Sequence, residues 1–239
     1  IERIKAAADV SGKIFVLCMK GIEVETGERL SQILIDAGID RNTIAVWVGP
    51  GHIQDFTAGI PNCMVVDGYA AGLKKSLAAA LKSALIRFYY GSDLLGNEVG
   101  AASKNVIGIA AGMLDGLHLS TLKGALMSRG TREVARLIQA LGGNELSAYG
   151  LCHLGDYEAT VFSKYSHNRQ FGESFVKGEE YTKLAEGYYT VRALLQMGKN
   201  YGVDLPICRA VYDTLYRGVE PKAALEDLFT RSLKTEFYQ

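Results

Sequence analysis

The chain has 239 residues, 48% of them apolar, and its 26 basic residues balance 26 acidic ones. That length allows two modest domains with sizeable cores and no disulfide staples, and a net charge of zero removes any electrostatic case for nucleic acid or an anionic membrane as partner. No uncharged apolar run reaches the roughly 18 residues of a membrane helix, and the charged start "IERIKAAADVSG" is unlike a secretion signal, so a cytoplasmic protein is expected. Cys18, Cys63, Cys152 and Cys208 stand singly with no C-x-x-C spacing, which points to reduced thiols and to no metal site.

Up to residue 91 short apolar runs alternate with helical segments. "KIFVLCMKG" (13–21), "TIAVWVGPG" (43–51), "NCMVVDG" (62–68) and "IRFYYG" (86–91) are rich in β-branched or aromatic residues and end in Gly or Pro turns. Such unalternated runs predict strands covered on both faces, as in an open parallel sheet. Between them "GERLSQILIDAG" (27–38) has apolar residues at 30, 33, 34 and 37, and "YAAGLKKSLAAALKSA" (69–84) is helical in composition. The first 91 residues therefore read as part of an α/β sheet.

Beyond residue 91 helical periodicity takes over. "GNEVGAASKNVIGIAAGMLDG" (96–116) is a small-residue helix in which Gly100, Gly108, Gly112 and Gly116 form one ridge, with Lys104 on the same ridge. Glycine costs about 1 kcal/mol relative to alanine in a helix interior, so something must pack very close, either a neighbouring helix or a bound molecule. "TREVARLIQALGG" (131–143) puts Val134, Leu137, Ile138 and Leu141 on one stripe and ends on a glycine pair. "DLPICRAVYDTLYRG" (204–218) opens with Pro206 and closes with Gly218, and "EPKAALEDLF" (220–229) repeats the pattern. A helical domain is expected over residues 92–239.

Candidate chemistry collects at a few points. Lys20 ends the first strand, where ligands of open sheets gather, and is either a solvated lysine or a ligand contact. The "VGPGHI" turn (48–53) would let a ligand approach bare backbone. A lysine inside a buried run has to be at an edge or in a site, and a desolvated Lys104 could give and accept protons near neutral pH. "GLCHLGDYEATVFSKYSHNRQFG" (150–172) gathers Asp156, Thr160, Ser166, His167, Asn168 and Arg169. Those side chains suit phosphate oxygens or an ordinary helix–helix connection. His118 and His153 have no partner at metal spacing and read as surface or core histidines. No G-x-G-x-x-G fingerprint occurs in the chain.

In order along the chain, "MKGIEVETG" (19–27), "VGPGHIQDFTAGIPNCMVV" (48–66), "GNEVGAASKNVIGIAAGMLDGL" (96–117), "RGTREVARL" (129–137), "LGDYEATVFSKYSHNRQFG" (154–172), "LAEG" (184–187) and "YGVDLPICRAVYDTLYRG" (201–218) resemble segments of the NAD(P)-dependent glycerol-3-phosphate dehydrogenases. The resemblance implies a partial Rossmann-type sheet (1–91) followed by the family's helical substrate-binding domain (92–239). It implies reversible reduction of dihydroxyacetone phosphate to sn-glycerol 3-phosphate with NAD or NADP, feeding glycerophospholipid synthesis, by a homodimer.

Carried over residue by residue, the resemblance makes Lys104 the catalytic lysine. Asp156 then holds Lys104 and a substrate hydroxyl, with Asn105 and Thr160 as supporting donors. Ser166, His167 and Asn168 match the phosphate-contacting triplet, Lys20 lies near substrate and cofactor, and Gly49 and Gly51 line the substrate. Ile53, Leu184 and Glu186, with Lys20 and His167, match cofactor contacts. His167 stands where the family's triplet has arginine, so its charge would depend on pH, and Arg169 is expected to reach in and compensate. "GPGH" replaces a turn that usually carries a hydroxyl. The first, Gly-rich half of the dinucleotide site is missing from the resemblance, which predicts weak dinucleotide binding by these 239 residues. Two alternatives stay open: a dehydrogenase of another small hydroxy substrate, or a non-catalytic binding protein on the same fold.

Overall fold

The computed structural model describes residues 1–233, 235 and 236. After α1 (Glu2–Ala7) come β1 (Phe15–Leu17), α2 (Leu30–Asp36), β2 (Ile44–Val48), α3 (Ile53–Thr57), β3 (Asn62–Gly68), α4 (Ala71–Leu81) and β4 (Ile86–Tyr90). From there the described chain is helical: α5 (Leu94–Gly116), α6 (Lys123–Ala140), α7 (His167–Lys177), α8 (Glu186–Asn200), α9 (Pro206–Arg217) and α10 (Pro221–Thr230), with short turns of 3-10 or π-helix between them. None of the described helices is long and apolar enough to cross a membrane.

The four strands lie in the order β1-β2-β3-β4. β1 pairs parallel with β2 and β3 parallel with β4, but β2 and β3 run antiparallel, Ala45 opposite Gly68 and Val48 opposite Val65. The sheet is therefore mixed, not parallel throughout as the apolar runs suggest. The connection from Val48 to Asn62 carries one short helix, α3, of five residues, close to the lower limit of about a dozen residues for a parallel crossover. The chain turns back instead. Because β1 and β2 are parallel, their carboxyl ends share one edge, and this puts the segment bearing Lys20 beside the Gly49–Gly51 turn.

The helices are organised around α5. Twenty of its 23 residues are buried, as expected of a helix covered all round, and its core partners come from α6, α8 and α9. The glycine ridge does receive a neighbouring helix. A Cβ on Gly112 would lie 1.9 Å from the Arg169 carbonyl oxygen of α7, and one on Gly116 would lie 2.9 Å from Val176 Cβ. Gly172 of α7 reciprocates against the Ile109 carbonyl at 2.1 Å. Pro206 and Gly218 bound α9 as read from the sequence, Gly218 taking the left-handed conformation at φ +69°.

Buried polar groups tie sheet to helices. Asp67 on β3 accepts from the Asp93 N–H at 3.0 Å and from Asn97 Nδ2 at 2.8 Å. Glu98 of α5 accepts from Ser31 N at 2.9 Å, Ser31 Oγ at 2.6 Å and Arg29 Nη1 at 2.6 Å. The edge carrying Lys20 is thereby fixed against the helix carrying Lys104.

Candidate active site

Asp156, 1% exposed, is the centre of the site. It closes a single 3-10 turn, Leu154–Asp156. Its Oδ2 lies 2.7 Å from Lys104 Nζ and accepts a hydrogen bond from Lys20 Nζ at 2.9 Å. Lys104, 6% exposed at the middle of α5, donates a second bond to Thr160 Oγ1 at 2.7 Å. Thr160 is presented by a π-helical turn, Glu158–Phe162, a wide turn common at functional sites. That turn can sit close because position 108 is glycine: a Cβ there would lie 2.8 Å from Thr160 Cγ2.

Two ammonium groups share one carboxylate, so the cluster is net positive. Of the three protons on Lys104 Nζ, Asp156 and Thr160 take two, and no described residue takes the third. Burial pushes the Lys104 ammonium down from 10.5 to about 8, Lys20 pushes the same way, and Asp156 resists. An amine so placed exchanges a proton near neutral pH.

One turn along the ridge from Lys104, about 6 Å at 1.5 Å per residue, the N-terminus of α7 meets Gly108, whose Cβ would lie 3.2 Å from Asn168 Cβ. Ser166 caps α7, its side chain accepting from Arg169 N. Asn168 Oδ1 accepts from Gly187 N at 2.8 Å, satisfying an orphan donor of α8. His167 is exposed, with its Nδ1 2.8 Å from the Tyr181 hydroxyl. Asn105 Nδ2 donates to Glu186 Oε2 at 3.0 Å, and this links the residue after Lys104 to the start of α8.

On the sheet side Gly49 holds φ +137°, open to few residues but glycine, against the Met64 backbone. Gly51 lies under the Phe56 ring, 2.9 Å from where a Cβ would be. His52 Nε2–H donates to the Ala159 carbonyl at 2.9 Å and so joins this turn to the one bearing Thr160. Ile53 and Leu184 are 80% and 65% exposed, the first following His52 and the second two residues before Glu186 in the chain.

Arg169 is not brought to the site. Its Nη1 bonds Asp115 at 2.6 Å and Glu173 at 3.1 Å, and its Nε donates to the Ser163 carbonyl at 3.1 Å. This is the compensation expected for His167, and the structure places that guanidinium elsewhere. Sequence reasoning also passed over His52, Tyr181 and the His153–Tyr157 pair. For the last, a histidine three residues before the aspartate and four before a tyrosine is the only local signal, and four-residue spacing alone is common.

Fold and cluster together describe an α/β-plus-helical protein in which a buried lysine pairs with an aspartate that also holds a second lysine. Residues 93–226 match the family model described as NAD-dependent glycerol-3-phosphate dehydrogenase C-terminus. A glycerol-3-phosphate dehydrogenase [NAD(P)+] of Pelodictyon phaeoclathratiforme is 34% identical over 238 residues, 95% of this chain and 72% of that one. The Thermus thermophilus relative of the same name is 38% identical over 229 residues, 93% of this chain and 70% of its own. The crystal structure of glycerol-3-phosphate dehydrogenase from Coxiella burnetii superposes with a TM-score of 0.85 at 27% identity, covering 96% of this chain and 72% of that one. The chain belongs to the NAD(P)-dependent glycerol-3-phosphate dehydrogenase family.

Proposed function

We propose that this chain carries out the reversible NAD(P)H-dependent reduction of dihydroxyacetone phosphate to sn-glycerol 3-phosphate, with Lys104 as proton donor in that direction and acceptor in the reverse. The observation that carries the reading is the buried Lys104 ammonium, bound to Asp156 and Thr160 and retaining one proton with no partner among the described residues. A carbonyl oxygen of the substrate takes that proton. Asp156, held by both lysines, orients Lys104 and accepts from the adjacent substrate hydroxyl. Lys20 adds the second positive charge beside it.

Ser166, His167 and Asn168 receive the phosphate at the start of α7, where helix N–H groups favour an anion. Gly49 and Gly51 line the substrate with backbone, and Asn105 supports Lys104 from the Glu186 side. The residues that would hold the cofactor are the exposed apolar Ile53 and Leu184, with Lys20, His167 and Glu186 as polar contacts. When bound, NAD(P)H supplies the hydride for the carbonyl carbon. In this reading residues 1–91 belong to the nucleotide-binding unit and 92–239 form the substrate unit, in a cytoplasmic homodimer that supplies glycerophospholipid synthesis.

The test is NADH and NADPH oxidation dependent on dihydroxyacetone phosphate, in the natural polypeptide containing these residues and in its Lys104→Met variant. The expected result is turnover in the parent and a loss of about 100-fold or more in kcat in the variant, the usual range for removing a general acid, with the fold retained by circular dichroism. A variant within threefold of the parent refutes the role of Lys104, and a parent inactive with this substrate refutes the substrate assignment.

A further inference from the structure

We infer that His153 is a positioning residue that sets the separation of Lys104 and Asp156, with Tyr157 fixing its tautomer. The inference rests on those two groups acting together, as proposed above. His153 is fully buried and its ring hydrogen-bonds neither side chain, yet the residue grips the backbone that carries each. Its ring Nδ1 lies 2.8 Å from the Gly100 carbonyl oxygen, the acceptor that a regular helix assigns to the backbone N–H of Lys104. Its own carbonyl accepts from the Asp156 N–H at 3.0 Å. A single residue thus spans from the turn of α5 under Lys104 to the loop that presents Asp156.

The tautomer follows from the partners. A carbonyl can only accept, so Nδ1 carries the proton and Nε2 is the acceptor. Tyr157 completes this by donating its hydroxyl proton to Nε2 at 2.7 Å, with its ring edge-on to the imidazole at a centroid distance of 4.9 Å. Thr131 Oγ1 donates to the Met127 carbonyl at 2.7 Å and lies a longer 3.4 Å from the Tyr157 oxygen, so the 2.7 Å contact to Nε2 takes the tyrosine proton. Burial, which pushes the His153 imidazolium down to about 4, keeps the ring neutral at working pH. Position 100 fits the same device: a Cβ there would lie 3.3 Å from His153 Cβ and 2.9 Å from Cys152 Sγ, so glycine lets the imidazole reach the helix backbone. Displacements of about 1 Å can cost on the order of 100-fold in an aligned reaction, which is the scale at which such a spacer acts.

The experiment reads Lys104 itself, so that it does not depend on which substrate is turned over. Competitive acetylation of the natural polypeptide across a pH series, followed by mass spectrometry of the peptide containing Lys104, gives the titration of that amine among the groups that face it: Asp156, Lys20, His153 and, through Asn105, Glu186. His153→Leu keeps the volume and removes the donor to Gly100. With Asp156 less firmly held against it, Lys104 is expected to titrate about half a pH unit or more lower. In His153→Asn the amide nitrogen takes the place of Nδ1, and the parent titration is expected to return. Tyr157→Phe should give a smaller shift in the same direction, and it decides the matter if His153→Leu does not fold. In the dehydrogenase assay the matching result is a fall in kcat of about tenfold or more with KM changed less than about threefold. An unchanged Lys104 titration in the folded variants, with only a lower Tm, overturns the inference even if the substrate assignment holds. A parent that fails to turn over dihydroxyacetone phosphate overturns that assignment and leaves the acetylation result to judge His153.

Discussion

Two aspartates, Asp115 on α5 and Asp156 on the turn packed near it, each hold two basic side chains, and they differ in what surrounds them. Asp115 accepts from Lys123 Nζ and Arg169 Nη1, both at 2.6 Å. Lys123 also donates to the Val161 carbonyl, Arg169 pairs on with Glu173, and Glu173 pairs with Lys177 at the surface. Charges alternate along that chain, two carboxylates standing between its three cations. Asp156 instead holds Lys104 and Lys20 on one oxygen, with no second carboxylate within reach of either lysine among the described residues. Burial and ion pairing are common to both clusters, so neither marks the functional one. What differs is the second carboxylate: Glu173 shares the cations of the first cluster, whereas Asp156 alone faces both lysines.

The largest expected effect is on the Asp156 side. Asp156→Asn removes the charge shared by two lysines and should lower kcat/KM for dihydroxyacetone phosphate by about 100-fold or more, measured by steady-state kinetics. Asp115→Asn should lower the free energy of unfolding by about 1–3 kcal/mol in urea titrations while kcat stays within about threefold. Equal kinetic losses in the two variants would erase the distinction drawn between the clusters. Between these lies Gly112→Ala. Its methyl would meet the Arg169 carbonyl at 1.9 Å, and because both partners are backbone, the cost should reach the upper end of the roughly 1–3 kcal/mol typical of overpacking. A Tm within a degree or so of the parent would show that α5 and α7 separate more easily than their close approach implies.

Much of the fold was legible because short apolar runs and helical stripes report local burial. All four strand runs and the helices around 30–36, 71–81, 94–116 and 206–217 stand where the pattern puts them. Strand direction was not legible, because apolar runs say that a strand is covered and not which way its neighbour runs. α7 and α8 were hidden by their own contents. Polar His167-Asn168-Arg169 and the internal Gly172 and Gly187 look like loop, and the reason for those glycines, an α5 backbone 2.1 Å and 2.6 Å from where a Cβ would be, exists only in three dimensions. The pairing of Lys104 with Asp156 follows from no spacing rule and came from family resemblance. Arg169 shows the opposite failure: its neighbours in sequence suggested an anion site, whereas Asp115, distant in sequence, takes the guanidinium.

The subtlest effect is in pH, and it gives the two clusters opposite signatures. Burial pushes Asp115 up, but hydrogen bonds from Lys123, Ser120 and Arg169 outweigh it and hold the carboxyl below its usual 3.8. Its contribution to stability is present above that value and fades as pH falls through the folded one. Lys104 acts at the alkaline end, since it titrates at about 8 in the fold against 10.5 in an open chain. Between those values the unfolded chain holds a proton that the folded chain has released, so unfolding takes up a proton and stability from this group rises with pH. Lys104→Met has no such group. The unfolding free energy of the parent minus that of the variant should therefore grow from about pH 8 to about pH 10.5 and stay level below, as read from urea titrations at several pH values. The same ionisation should make dihydroxyacetone phosphate reduction fall, and glycerol 3-phosphate oxidation rise, as pH climbs through about 8. A flat stability difference would mean that Lys104 keeps an ordinary lysine pKa, and the surplus proton would then be too tightly held to serve as the acid.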